Sequence, residues 1–313
     1  MSLVFVFPGQ GSQYVGMGKE LCANYSVARE IFEQANEVLG FDLTQMCFAG
    51  PADELNQTAN TQPALLTTSV AVMKVLEANG IEAKAAAGHS LGEYSALVCA
   101  GALKFTDAVK LVQLRGKYMQ EAAPQGAGGM AAILGLDGAA VNDVCLRAAA
   151  NGHTVEAVNY NCPGQVVIAG TQSGLEAAMA LAKEAGARRC VPLAVSGPFH
   201  SSLMRPASDR LAKELEQITI SDPQLPVLSN VTADYVQRAS EIKQKLIEQV
   251  FNPVRWEESV QRLAADGYNL AVEVGPGKVL SGLIKKTTKS INTLNVEDQG
   301  SLEKVLAHMK EVG

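Results

Sequence analysis

Apolar positions change their period several times along the chain, and each change marks an element. Leu3–Phe7 is an unbroken run of branched and aromatic residues, the pattern of a strand buried on both faces of a parallel sheet. Residues 17–40 follow with helical periodicity and stop at Gly40. A second helical stretch spans 63–79, with Pro63 in a first-turn position that tolerates it. Residues 85–87 are three alanines, and after the turn at 88–92, Tyr94, Leu97, Val98 and Gly101 recur at i, i+3, i+4 and i+7, which is one face of a helix. Thr106 is placed to cap the next helix, with Asp107 in its first turn and Ala108, Leu111, Val112, Tyr118 and Met119 as its apolar stripe.

A glycine-rich break at 125–129 then changes the order of elements. Strand 130–134, helix 139–150, strand 155–159, turn 162–164, strand 166–169, helix 173–185 and strand 190–195 succeed one another within about 70 residues, the split β-α-β-β-α-β order. Beyond it come a helix at 201–217, a strand at 226–229, helices at 242–251 and 256–266, a strand at 270–274 closed by Gly275-Pro276-Gly277, a strand at 291–296 and a last helix. The pattern predicts an α/β fold. Its large domain, from 1–125 and 197–313, is α/β-hydrolase-like with a mostly parallel sheet, and a ferredoxin-like small domain is inserted at 126–196.

Composition narrows the classes. A length of 313 residues is enough for two cores. An apolar fraction of 47% with 19% charged residues suits a soluble globular chain, and a net charge of −6 argues against general nucleic-acid binding. Six cysteines, at 22, 47, 99, 145, 162 and 190, contain no CxxC pair, so reduced thiols are expected rather than a disulfide framework or a metal site. Leu3–Phe7 is too short for a secretion signal, and no apolar run reaches the roughly 18 residues of a membrane span. A cytoplasmic protein with no membrane contact is expected.

The candidate chemistry centres on Gly88-His89-Ser90-Leu91-Gly92, a G-x-S-x-G turn between a short apolar run and a helix. A sharp strand-to-helix turn lifts a serine hydroxyl clear of the backbone, and the free N–H groups opening the helix suit a developing oxyanion. Pro8-Gly9-Gln10-Gly11-Ser12-Gln13 fits neither phosphate-binding pattern: Tyr14 stands where G-x-G-x-x-G needs its third glycine, and Glu20 follows Gly18-Lys19. It is a glycine-rich turn presenting Gln10. Arg115 falls on the apolar stripe of its helix, three residues after Val112 and four after Leu111. It implies either a structural salt bridge or a fork held for a substrate carboxylate. Among four histidines, His89 reads as structural, and His153 and His308 as surface residues. His200 follows a Gly-Pro turn where the inserted domain rejoins the sheet, and is the favoured base. No Asp or Glu stands out as its orienting partner; a backbone carbonyl is able to fill that place.

Taken together, Phe7-Pro8-Gly9-Gln10-Gly11-Ser12-Gln13, Gly88-His89-Ser90-Leu91-Gly92-Glu93-Tyr94, Arg115-Gly116, Gly197-Pro198-Phe199-His200-Ser201 and Glu273-Val274-Gly275-Pro276-Gly277 resemble the malonyl-CoA:acyl-carrier-protein transacylases of bacterial fatty-acid synthesis. The resemblance implies Ser90 as the acylated nucleophile, His200 as its base and the carbonyl of Gln249 in place of a triad acid. It implies an oxyanion hole from the N–H groups of Gln10 and Leu91, and Arg115 as the receptor of the malonyl carboxylate. Met119 and Phe199 would line the acyl pocket, with Gln62, Asn161 and Gln165 near the cleft. Malonyl-CoA and a phosphopantetheinylated acyl carrier protein are the implied partners, with no cofactor beyond the CoA thioester and a monomeric enzyme. An acidic carrier protein calls for a local basic patch, for which Arg188, Arg189, Lys285, Lys286 and Lys289 are candidates. A serine esterase and a non-catalytic binding module are the alternatives.

Overall fold

Five apolar residues with no polar interruption make β1 (Leu3–Phe7), and every one of them is buried inside a six-stranded sheet. In this computed structural model, residues 2–312 are described, apart from 124, 125 and 127. After β1 come α1 (Lys19–Asn24), α2 (Ser26–Leu39), α3 (Leu43–Ala49), α4 (Ala52–Leu55), α5 (Thr58–Ala78), β2 (Ala85–Gly88), α6 (Leu91–Cys99) and α7 (Phe105–Ala122). A second group follows: β3 (Gly128–Leu134), α8 (Gly138–Ala150), β4 (Val155–Cys162), β5 (Gln165–Thr171), α9 (Gln172–Glu184) and β6 (Arg189–Pro192). The chain closes with a short 3-10 turn (Ser202–Met204), α10 (Arg205–Gln217), β7 (Val227–Leu228), β8 (Tyr235–Val236), α11 (Ala239–Gln249), α12 (Trp256–Ala265), β9 (Leu270–Val274), α13 (Val279–Thr287), β10 (Asn292–Val296) and α14 (Gln299–Val312).

The large sheet runs β10-β9-β1-β2-β7-β8 and is parallel except for β8, which pairs antiparallel with β7. In β2, Ala86 joins one apolar cluster while Ala85 and Ala87 join the other. Side chains this small let helices lie close on both faces, as parallel sheets require.

The second sheet is antiparallel, in the order β4-β5-β3-β6. Alternation divides its residues cleanly. Ala131, Ile133, Val166 and Ile168 pack with α8 and α9 in a separate cluster, whereas Met130, Ala132, Val167 and Ala169 point the other way and join the main core. This sheet therefore has one face of its own and one face turned to the large sheet's helices. β4 carries two register irregularities, and its backbone bonds outward instead: Tyr160 N donates to Val254 O at 3.0 Å and Val254 N to Val158 O at 2.8 Å.

Several boundaries differ from those the pattern predicts. The helical stretch 17–40 breaks at Tyr25, which is extended at φ −126° and serves both as the end of α1 and the start of α2. α5 begins at Thr58 rather than 63, so Pro63 lies in the second turn, where only the carbonyl four residues back loses its helical donor. α7 starts at Phe105 with Lys104 at its N-cap, so Thr106 is inside the helix and does not cap it. α3, α4, α13 and the small strand β8 are additional elements. The expected small-domain boundary at 125–126 abuts residues outside the described set. Among the described residues, no helix is long and apolar enough to cross a membrane, and all six cysteines are free.

Candidate active site

β2 ends at Gly88 and α6 begins at Leu91, so His89 and Ser90 alone turn the chain. Ser90 has φ 52° and ψ −105°, a conformation that residues with side chains rarely adopt. One side chain clamps the turn: Asn230 Oδ1 accepts from Ser90 N at 2.7 Å, and Asn230 Nδ2 donates to Gly88 O at 2.7 Å. The flanking glycines are required by space. A Cβ on Gly88 would stand 1.9 Å from the carbonyl group of Gly92, and a Cβ on Gly92 would stand 2.0 Å from Phe7 O.

Ser90 Oγ lies 2.7 Å from His200 Nε2, across 110 residues of sequence. His200 Nδ1 lies 2.7 Å from the backbone oxygen of Gln249. A carbonyl only accepts, so Nδ1 carries the proton and Nε2 presents its lone pair to the serine. Burial, reinforced by the Arg115 guanidinium, pulls His200 down to about 3, which keeps the ring neutral at ordinary pH. A neutral imidazole facing a hydroxyl is the arrangement that activates a serine nucleophile.

Arg115 is 1% exposed on α7. It forms no ion pair among the described residues. Neutral amides hold it instead: Nη1 donates to Gln62 Oε1 at 2.7 Å and Nη2 to Gln249 Oε1 at 2.9 Å, with a further 3.1 Å contact from Nη2 to Ser90 Oγ. The Tyr94 ring lies 5.3 Å from the guanidinium carbon, and Nε–H has no partner among the described residues. This settles the two sequence readings against a structural salt bridge. No carboxylate touches the guanidinium directly among the described residues, Glu93 reaching it only through the Gln249 amide, and an incoming carboxylate beside the serine would pair with it.

The cavity over Ser90 is lined on the large-sheet side by Gln10, Gln62, His89, Leu91, Arg115, Met119, Phe199 and His200. On the other side stand Met130, Asn159, Leu193 and Val195 of the second sheet and the segment leaving it. Of the residues the sequence proposes, Ser90, His200, Gln10, Leu91, Arg115, Met119, Phe199 and Gln62 meet here. Gln249 stands behind them, completely buried. Leu91 opens α6, so its own N–H has no acceptor within the helix. The Gln10 side chain donates to Thr58 Oγ1 at 3.2 Å, which is 3.0 Å from Ser196 Oγ. Asn161 and Gln165 do not line this cavity. They border a neighbouring one that shares Gln10, His89, Asn159 and Leu193 with it and continues to Val279, Leu280 and Leu283 of α13. His89 Nε2 is 2.9 Å from Asn161 Oδ1, a contact between the two sheets' elements that suits its structural reading. His153 and His308 are half-buried and line neither cavity.

Two site residues carry no role in the sequence reading. Asn230, at the end of β7, clamps the elbow. Glu93, one turn into α6 and 2% exposed, accepts from Asn230 N at 3.0 Å and from Gln249 Nε2 at 2.6 Å. The available signal was an acidic side chain inside an otherwise apolar helix start. Among the described residues, no group of three or more His, Cys, Asp or Glu side chains is placed to hold a metal ion.

A family model for the acyl transferase domain matches residues 4–311. The chain is 51% identical over 309 residues to a malonyl CoA-acyl carrier protein transacylase of Bacillus subtilis, covering 99% of this chain and 98% of that one. It is 50% identical to the Escherichia coli K12 protein of the same name, over 96% of this chain and 98% of the relative. A solved acyl carrier protein S-malonyltransferase from Vibrio cholerae superposes with a TM-score of 0.95 at 49% identity, covering 97% of this chain and 100% of its own. A malonyl-transacylase solved in complex with a type II PKS acyl-carrier protein superposes at 0.96 with 46% identity, over 98% and 100% of the two chains. With these matches running nearly end to end, the chain belongs to the acyl transferase domain family, among the malonyl CoA-acyl carrier protein transacylases.

Proposed function

We propose that the chain moves a malonyl group from malonyl-CoA to the phosphopantetheine thiol of acyl carrier protein, through a malonyl ester on Ser90, in the service of fatty-acid synthesis. The observation that carries this is the buried Arg115, without an ion pair among the described residues and within 3.1 Å of the serine hydroxyl. In the first displacement His200 Nε2 takes the Ser90 proton as Oγ attacks the thioester carbon. The oxyanion is received by the N–H groups of Gln10 and Leu91, and collapse expels CoA, whose sulfur takes the proton back from His200. In the second, the carrier thiol gives its proton to His200 and attacks the ester, and Ser90 leaves with that proton. The Gln249 carbonyl holds the imidazole tautomer throughout. Arg115 receives the malonyl carboxylate, while Met119, Phe199 and Gln62 bound the acyl group. Both steps balance without a cofactor, the CoA thioester being itself a substrate.

The neighbouring cavity bordered by Asn161 and Gln165 suits the pantetheine arm, and it runs out along α13. Lys285 and Lys286 close that helix, both exposed. We take Lys285 and Lys286, at the end of the helix that lines this cavity, as better candidates for meeting an acidic carrier than Arg188 and Arg189. We assign residues 1–125 with 197–313 to the domain carrying the chemistry and 126–196 to an inserted domain that roofs it, in a monomeric cytoplasmic enzyme.

The test is transfer of labelled malonyl to holo carrier protein beside carrier lacking phosphopantetheine. Transfer that requires the thiol is expected. Steady release of free malonate whatever the acceptor would contradict it and favour the esterase.

A further inference from the structure

The side-chain amide of Gln249 faces two ways. Its oxygen accepts from Arg115 Nη2 at 2.9 Å, and its nitrogen donates to Glu93 Oε2 at 2.6 Å. The same nitrogen reaches Ser90 O at 3.0 Å. A carboxyl and a guanidinium are thus joined through one polarised amide, and the malonyl carboxylate would arrive on the far side of that guanidinium. We infer that Glu93 is a positioning residue whose charge, passed to Arg115 through Gln249, sets how strongly the cleft prefers an acyl group bearing a carboxylate. This rests on the reading of Arg115 as receptor of the malonyl carboxylate.

An ionised Glu93 steadies Arg115 while the site is empty and repels the carboxylate that enters; a protonated Glu93 does neither. Burial pushes the Glu93 carboxyl up to about 7, against the pull of its hydrogen bonds and of Arg115. Tyr94, Arg115, His89 and His200, the perturbed groups around it, keep one charge state near that pH. Tyr94, on the same helix, is pushed up to about 12, and Arg115, from α7, stays protonated. His89 is lowered by burial and His200 lies at about 3. β1, β2 and β7, packed against α6, carry no ionisable side chain. Lys74 and Glu77 of α5 pair with each other, as do Lys245 and Glu248 of α11. Affinity for a carboxylated acyl-CoA therefore falls as pH rises through the Glu93 transition, and its binding draws a proton onto Glu93.

The charge separates from the hydrogen bonds by substitution. Glu93 Oε2 alone accepts from both Asn230 N and Gln249 Nε2, and the amide oxygen of Glu93→Gln is able to do the same without charge. The experiment uses calorimetric titration of malonyl-CoA and acetyl-CoA in a Ser90→Ala background, where the thioesters stay intact, with thermal melting to establish folding. Between about pH 6 and about pH 8.5, malonyl-CoA affinity is expected to fall about 10-fold more than acetyl-CoA affinity, the order for two like charges about 12 Å apart at an effective dielectric of roughly 20. Proton uptake, read from buffers of different ionisation enthalpy, accompanies malonyl-CoA alone, and both signatures vanish in Glu93→Gln. If Glu93→Gln keeps the parental pH dependence, or weakens both thioesters equally, the inference is overturned. An Arg115→Ala arm separates the two failures: if it weakens both thioesters equally, the reading of Arg115 itself is at fault.

Discussion

The two walls of the cleft are built from different material. The wall from the large parallel sheet carries Ser90, His200, Arg115, Gln62 and Gln249, tied to one another by hydrogen bonds of 2.7 to 3.1 Å. The opposite wall offers Met130, Leu193 and Val195, with Asn159 as its polar member. The difference teaches a division of labour. Reacting groups need mutual positions fixed to a fraction of an ångström, and one body fixes them better than two. The side of the cleft from the second sheet offers mainly apolar surface, which tolerates adjustment and leaves little room for water over the charges beneath it.

Breaking the polar wall has the largest effect. His200→Ala is expected to slow acylation of Ser90 by about 10²- to 10⁴-fold for malonyl-CoA and acetyl-CoA alike, measured by single-turnover quench. Arg115→Ala separates the two thioesters. The loss of a two-pronged charged contact is expected to cost malonyl-CoA roughly 10- to 200-fold in kcat/KM while acetyl-CoA gains in relative preference. Equal losses would remove Arg115 from substrate recognition. On the apolar wall, Met130→Ala is expected to lower kcat/KM for both thioesters together by about 3- to 10-fold, because the cover loses about 1 kcal/mol or slightly more of apolar contact without touching a charge. An effect confined to malonyl-CoA would mean the walls are not divided as described.

The smallest effect is a near absence of change. His200 is held at about 3, below its ordinary 6.5, so the base stays unprotonated well into acid. Acylation by acetyl-CoA, which carries no carboxylate, is expected to vary by less than about 2-fold between about pH 8 and about pH 5.5, where an unperturbed histidine would lose about 10-fold. The sign for stability is the reverse. The unfolded chain binds a proton at His200 that the folded chain refuses, so this contribution is fully present above the ordinary value and is lost as pH falls from there towards about 3. The Glu93 carboxyl, pushed up to about 7, acts in the opposite sense over part of that window, so the contribution is read as the difference in melting temperature between the parent and His200→Ala; a difference that stayed constant on acidification would contradict the burial of His200.

What the sequence disclosed follows the range of each interaction. The elbow is local: Gly88, Ser90 and Gly92 stand two residues apart, and the clashes that demand glycine come from within the turn and from β1 beside it. Arg115 was visible because a cation at i+3 and i+4 from core residues breaks a stripe, although its lack of an acidic partner was not. The Gln249 carbonyl had no signature of its own, since every residue has one; only family resemblance pointed to it. Glu93 lay in plain view within the Ser90 motif, yet its role depends on Asn230, 137 residues away. Met130 and Leu193 looked like any strand residues, because which face a strand residue takes is settled by register with its neighbours. The break at Tyr25 escaped notice because apolar periodicity continues across it.

On the proposed mechanism Ser90 carries the acyl group and a thiol removes it. Intact-mass measurement with peptide mapping, after incubation with malonyl-CoA, tests this most directly. One malonyl adduct on the peptide containing Ser90 is expected, absent in Ser90→Ala and discharged when holo carrier protein is added. An adduct on another residue, or one that persists in Ser90→Ala, would contradict it.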